Sequence, residues 1–256
     1  MRHLFNRWGY ITLRVKRSRS ACVLSDYDGT LTPIAPRPEL ALLSDEMRDL
    51  LRRLADNPRY IVAVISGRPI EEVKALVDVQ GIFYAGNHGL EIEGPNCRFR
   101  HPGAGEALPN MMRISAELKQ KLQGLKGVIV EDKGLTASIH YRLAPPREIL
   151  KVREILEEVA GHLDGIMVTQ GKRVFEVRPN LDWNKGSAAK WIVESLAEDA
   201  LPIYIGDDRT DEDAFTILKR GITVCVTSRP RRSNAKYYLK NVYEVQEFIR
   251  RLISIK

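Results

Sequence analysis

The chain holds 256 residues, 44% of them apolar, and its 40 Lys and Arg outnumber 33 Asp and Glu for a formal charge of +7. This is enough apolar chain for one large core or two modest ones, and no run approaches the roughly 18 uninterrupted apolar residues of a membrane-spanning helix. The charge does not describe a nucleic-acid binder, because Arg2, Arg7, Arg14, Lys16, Arg17 and Arg19 supply most of the excess before the first acid, and the remainder is nearly balanced.

Residues 1–20 read as a basic arm without the apolar stretch and small-residue cleavage site of a secretion signal. A packing helix, a transit-like segment and an artefactual start all stay open for it. From residue 21 short apolar strands alternate with amphipathic helices. Ala21 to Ser25 is a strand, and Asp26-Tyr27-Asp28-Gly29 follows it directly. Ser44 then caps a helix with Asp45 and Glu46 in its first turn and Met47, Leu50, Leu51 and Leu54 along one stripe. Tyr60 to Ile65 is the second strand and runs into Ser66-Gly67-Arg68, after which Pro69 opens a helix that buries Ile70, Val73 and Val77. Ile82 to Ala85 is the third. Such alternation is the pattern of a parallel sheet covered on both faces, an α/β, Rossmann-like core.

The rhythm changes between Pro102 and Pro179 to helix, hairpin, helix, hairpin, which marks an inserted α+β cap over residues 105–179 between core segments 21–104 and 180–256. Pro102-Gly103-Ala104-Gly105 and Arg178-Pro179-Asn180 read as its hinges. Strands from Val128 to Glu131, Thr136 to Leu143, Gly165 to Thr169 and Arg173 to Val177 form the hairpins. Ile139, Tyr141, Phe175 and Val177 would face the helices, and Glu131, Lys133, His140, Arg142, Lys172, Glu176 and Arg178 the other side. Beyond the insert, Asn184-Lys185-Gly186 opens a helix, and the strand Ile203 to Ile205 runs into Gly206-Asp207-Asp208-Arg209-Thr210-Asp211-Glu212-Asp213. Ile222 to Val226 is the last core strand, and a final helix begins near Asn241. The cluster Arg229, Arg231, Arg232 and Lys236 lacks interleaved aromatics or a nucleic-acid module. Three cysteines, Cys22, Cys97 and Cys225, have no metal-type spacing, and two lie in apolar runs, as reduced thiols of a cytoplasmic protein do.

The chemistry concentrates behind the strands. Asp26 and Asp28 share one face of an extended chain while Tyr27 turns away, and Gly29 frees the backbone to leave at an unusual angle. One carboxylate there can attack an electrophile and its neighbour can move a proton. Ser66, Lys185 and Asp207 sit at the same sheet edge, where open parallel sheets bind ligands. Together these pieces offer oxygen ligands for a hard cation, a hydroxyl and a helix start for phosphate oxygens, and an ammonium for charge that grows during transfer. Glu212 and Asp213 read instead as complements to a helix dipole, and His88 and His140 as hydrogen-bonded structural histidines.

Asp26-Tyr27-Asp28-Gly29-Thr30-Leu31, Ser66-Gly67-Arg68, Lys185 and Gly206-Asp207-Asp208 resemble the four ordered signatures of haloacid-dehalogenase-type phosphohydrolases. Gly86-Asn87-His88-Gly89-Leu90-Glu91, the run from Gly206 to Phe215, Glu131-Asp132-Lys133, His140-Tyr141-Arg142 and Glu176-Val177-Arg178-Pro179 are similar to trehalose-6-phosphate phosphatases. The resemblance covers residues 21–256. It implies a magnesium-dependent phosphatase of trehalose biosynthesis that works through an aspartyl-phosphate. Asp26 is then the nucleophile, Asp28 the acid and base, Ser66 and Lys185 the phosphoryl clamp, and Asp26, Asp28, Asp207 and Asp208 the Mg2+ site. Arg68, Asn87, His88 and Glu91 of the core, with Glu131, Lys133, Arg142, Lys172 and Glu176 of the lid, would bind the sugar phosphate. Other sugar phosphatases of the superfamily and an inactive sugar-phosphate-binding module are the alternatives. A cytoplasmic monomer with no nucleic-acid or membrane partner, functionally paired with a sugar-phosphate synthase, completes the expectation.

Overall fold

A computed structural model describes residues 1–161, 165–171 and 173–255. Two compact units divide the chain: residues 1–99 with 183–256, and residues 100–182.

In the larger unit the chain begins with a two-residue strand, β1 (Arg2–His3), and helix α1 (Trp8–Arg17). The arm is therefore a packing segment. Leu4, Ile11 and Val15 are fully buried in the same cluster as the sheet residues Val23 and Val62. The Trp8 ring meets Phe248 edge-on at 6.2 Å, and the Arg251 guanidinium lies 4.4 Å over Phe5. There follow β2 (Ala21–Ser25), α2 (Asp45–Ala55), β3 (Tyr60–Ile65), α3 (Ile70–Val77) and β4 (Phe83–Gly86). Ser44 caps α2 as expected, its hydroxyl accepting from the Met47 amide at 3.2 Å. Two further strands, β5 (Glu91–Gly94) and β6 (Cys97–Arg100), extend the sheet beyond β4.

The smaller unit contains α4 (Pro102–Lys121), β7 (Ile129–Asp132), β8 (Ala137–His140), α5 (Pro146–Gly161), β9 (Ile166–Gln170) and β10 (Val174–Pro179). Its sheet has the order β7-β8-β10-β9, and its helices cover one face through Met111, Ile114, Leu118, Val152, Leu156 and Val159. Two expectations change here. The segment Pro102 to Gly105 is the first turn of α4 rather than a hinge, because Pro102 suits the first helical position and His101 Nδ1 accepts from the Gly103 amide at 3.2 Å. Strand β8 stops at His140, since the Ala144 amide turns back onto the Tyr141 carbonyl at 3.1 Å, so Arg142 sits exposed in a turn. Lys172 lies outside the described residues.

The chain re-enters the larger unit with α6 (Lys185–Leu196), β11 (Leu201–Gly206), α7 (Glu212–Ile217), β12 (Ile222–Val226), β13 (Tyr237–Leu239) and α8 (Val242–Ile253). The nine-stranded sheet has the order β1-β13-β12-β11-β2-β3-β4-β5-β6 and is parallel from β1 to β4. Alternation sorts each strand onto two cores. Val23, Val62, Val64, Ile203 and Ile205 face α1, α2 and α8, while Cys22, Leu24, Ala63, Ile65 and Tyr204 face α6 and α7. Cys22 and Cys225 are buried free thiols, and burial pushes Cys22 up to about 12. Among the described residues no helix is long and apolar enough to cross a membrane.

Candidate active site

The order of connection makes the site. From β2 the chain moves outward to β3 and β4, and from β11, the other neighbour of β2, it moves the opposite way to β12 and β13. The loops behind β2 and β11 therefore part, leaving the crevice in which open sheets bind ligands. The two strands are in register, Ile205 opposite Ser25, and the Asp26 amide continues the ladder to the Ile205 carbonyl at 2.9 Å. Asp26 and Asp207 thus arrive side by side.

The close approach explains a glycine. Gly29 has φ +85°, and a Cβ there would lie 2.2 Å from Asp207 Oδ2. Gly67 likewise leaves room for the His88 ring, and Gly206 for the Asp211 carboxyl group.

Lys185 stands at the first position of α6 and is 4% exposed. Its ammonium donates to Asp26 Oδ1 at 2.6 Å and to Asp211 Oδ1 at 3.0 Å. Asp211, 0% exposed, is saturated with donors. Oδ1 also accepts from the Tyr204 hydroxyl at 2.9 Å, and Oδ2 takes the Asp207 and Asp208 amides, both at 2.9 Å. Burial pushes Asp26 well above the ordinary carboxylate range; Lys185 opposes this, and Asp211 and Asp207 add to it. Burial also works against the Lys185 ammonium, but Asp211 and Asp26 outweigh it and hold the lysine charged.

Asp26, Asp207 and Asp211 each place one carboxylate oxygen within 4.8 Å of the others, all buried. An all-oxygen set with three acids against one lysine fits a hard divalent cation. Since both oxygens of Asp211 are taken by two donors each, Asp26 and Asp207 are the ligands on offer and Asp211 is their support. Asp208, expected among the ligands, has its carboxylate on the Arg209 amide at 2.7 Å, where it caps a short 3-10 turn. That capping box, Asp208 with Asp211 three residues on, was the sequence signal that separates the two acids.

Ser66 is 1% exposed at the end of β3, and its hydroxyl accepts from the Arg68 amide at 3.2 Å. Arg68, expected to bind substrate, is occupied inside the protein. Nε and Nη2 donate to the two oxygens of Asp28, both at 2.8 Å; Nη1 meets Glu72, and Nη2 reaches the Pro38 carbonyl at 2.9 Å. Tyr27 points away as expected, its hydroxyl on the Ala41 carbonyl at 2.8 Å. Behind β4, Asn87 and His88 adopt φ of 48° and 58°, both are buried, and the Asn87 amide group donates to Glu91 at 3.2 Å. Arg231, which the sequence left as surface charge, donates to the Asp207 carbonyl at 3.1 Å.

The smaller unit carries its own polar cluster on the open face of its sheet. His140 Nε2 and Glu131 are 2.7 Å apart, Ser138 donates to Glu176 at 2.9 Å, and the Lys133 ammonium lies 3.8 Å from Glu131 and 3.7 Å from Glu176. The facing residues Ile139, Phe175 and Val177 are buried under the helices.

A carboxylate-lined crevice at the carboxyl edge of a parallel sheet, with an α+β unit spliced in after β6, defines a haloacid-dehalogenase-like phosphohydrolase, an enzyme that hydrolyses phosphoric monoesters. Known proteins make the class narrower. The sequence model of trehalose-phosphatase matches residues 24–243, and the chain belongs to that family. It is 36% identical to probable trehalose-phosphate phosphatase D of Arabidopsis thaliana, over 94% of this chain and 69% of that protein. It is also 36% identical to probable trehalose-phosphate phosphatase 3 of Oryza sativa subsp. japonica, over 97% and 74%. The C-terminal domain of Candida albicans trehalose-6-phosphate phosphatase shares the fold, with a TM-score of 0.84 at 24% identity and 97% of both chains covered. Membership implies a divalent metal, for which Asp26 and Asp207 offer the oxygens with Asp211 behind them.

Proposed function

We propose that the protein hydrolyses trehalose 6-phosphate to trehalose and phosphate, in trehalose biosynthesis, through an aspartyl-phosphate on Asp26 and with Mg2+ as the cation. The observation that carries this reading is the buried pair Asp26 and Lys185, 2.6 Å apart at the crevice between the loops after β2 and β11. A carboxylate so placed attacks phosphorus while the ammonium offsets the charge of the phosphoryl oxygens. Ser66 adds a hydroxyl to that clamp. The bond from phosphorus to the sugar oxygen breaks, and Asp28 gives that oxygen a proton, since a sugar alkoxide leaves poorly without one. Water then takes the phosphoryl group from Asp26, with Asp28 as the base. Asp26 and Asp207, with the Asp28 main chain, would hold the cation, which when bound offsets the negative charge gathered around the phosphoryl group.

Sugar recognition we assign to polar groups in each unit. Asn87, His88 and Glu91 follow β4, and Glu131, Lys133 and Glu176 share the open face of the smaller sheet, with Arg142 in the turn beyond. A disaccharide is all hydroxyl apart from its phosphate, so oriented donors and acceptors are what read it. We place the protein in the cytoplasm, in keeping with its free buried thiols, acting as a monomer on a small sugar phosphate and paired functionally with a sugar-phosphate synthase.

The test is phosphate release from trehalose 6-phosphate with and without Mg2+, for the unchanged protein and Asp26→Asn. Turnover should need the cation, and the variant should fall by at least about 10³-fold with its fold intact. Cation-independent release, full activity in Asp26→Asn, or a preference for another sugar phosphate would each defeat the corresponding part of the reading.

A further inference from the structure

The Arg68 side chain is 5% exposed although it carries a full charge, while that of Asp28, which it holds, is 41% exposed. Every side of the guanidinium has a role. Nε and Nη2 form a two-point fork on both oxygens of Asp28 at 2.8 Å. Glu72, in the first turn of α3, takes Nη1, and the Pro38 carbonyl takes the second proton of Nη2. The ring of Tyr27 lies under the guanidinium carbon at 5.4 Å. The arginine backbone is fixed as well, its amide on Ser66 Oγ and its carbonyl accepting from the Asn87 amide at 2.7 Å. So the arginine cannot turn to meet a ligand without breaking a partly buried network. The carboxylate it clamps keeps one open side.

We propose that Arg68, braced by Glu72 and the Pro38 carbonyl, is a positioning residue that presents Asp28 as an oriented carboxylate to the water that cleaves the aspartyl-phosphate, and does not itself bind substrate. The proposal rests on the reading of Asp28 as base. Two parallel N–H donors, one to each oxygen, set the plane of the Asp28 carboxyl group and its facing. In the step concerned, one water proton goes to an Asp28 oxygen and the water oxygen bonds to phosphorus. The bond from phosphorus to the Asp26 oxygen breaks, and its electron pair returns to that carboxylate. Phosphate leaves, and Asp28 carries the proton that the next sugar oxygen receives.

The experiment uses the full chain with Mg2+ and two substrates, trehalose 6-phosphate and p-nitrophenyl phosphate, whose leaving group needs no proton. Arg68→Lys keeps the charge and loses the fork; Arg68→Gln loses both. For either variant kcat should fall about tenfold or more while KM for trehalose 6-phosphate moves less than about threefold. On p-nitrophenyl phosphate the acid-quenched fraction of phosphorylated protein, read by intact mass, should rise by about fivefold or more, because cleavage of the intermediate is slowed and its formation is not. In an Asp28→Asn background Arg68→Gln should add less than about twofold. Glu72→Gln, which leaves the fork in place, should give the same pattern at about threefold and serves if an Arg68 variant does not fold. A large rise in KM without accumulation of phosphorylated protein makes Arg68 a substrate ligand and overturns the proposal. A loss that persists in the Asp28→Asn background overturns it too. If Asp28→Asn alone turns over like the unchanged protein, the assignment of Asp28 is what fails, and the role of Arg68 falls with it.

Discussion

Gly29 is the residue on which the meeting of Asp26 and Asp207 depends. Its φ of +85° is one that L side chains rarely adopt, and a methyl group there would overlap Asp207 Oδ2 at 2.2 Å. Gly29→Ala should therefore push Asp207 aside and cut kcat/KM by about 10²-fold or more, at a backbone cost of about 1–2 kcal/mol. Steady-state kinetics beside a thermal melt check this, because a loss of activity explained by unfolding alone would contradict it. Most of the site could be read from residue types at strand ends. What could not be read was rank among neighbours. Asp207, Asp208 and Asp211 look alike in a run of acids, and only the capping turn shows that Asp208 caps, Asp211 anchors Lys185 and Tyr204, and Asp207 is left to face Asp26. The partners of Arg68 were hidden for a related reason: an arginine after Ser66-Gly67 suits an anion of any kind, and nothing local announces that Asp28 and Glu72 take its donors.

Among the elements, α1 was illegible because Thr12, Arg14, Lys16 and Arg17 surround just two inward positions, Ile11 and Val15, a weak stripe for a ten-residue helix. Tertiary packing decides it. Ile11 is 0% exposed within the core cluster that also holds Val23 and Phe248, so Ile11→Ala should cost about 2–5 kcal/mol. Denaturant titration measures that figure, and a loss below about 0.5 kcal/mol would mean that the arm is not part of the fold. The pair β5 and β6 escaped notice for the opposite reason. Glu91-Ile92-Glu93 and Cys97-Arg98-Phe99-Arg100 do alternate, but they are short and charged, and Ile92 alone is fully buried. The turn between them, Pro95 and Asn96 with the asparagine at φ +56°, was the readable cue. The long core strands were plain because central parallel strands, buried on both faces, are continuous apolar runs.

At the scale of the molecule, the buried clusters of the two units share no residue. A cavity in one should therefore stay local. Ile139→Ala, opposite Val130 and Phe175 on the smaller sheet, removes apolar contact worth about 2–5 kcal/mol. Amide hydrogen exchange should quicken across residues 100–182 while β2, β3 and β11 keep their protection. Equal loss of protection in both units would make the chain one cooperative block.

The joints of the larger unit carry a consequence of their own. The Phe99 ring stacks on Trp183 at 5.3 Å and lies tilted against Trp191 at 4.6 Å, and the Trp183 indole donates to the Gly89 carbonyl at 2.8 Å. The points where the polypeptide departs and comes home are thus stapled together by rings belonging to the larger unit alone. That base is self-sufficient as a socket: a different module spliced between Phe99 and Trp183 would leave these seams unchanged.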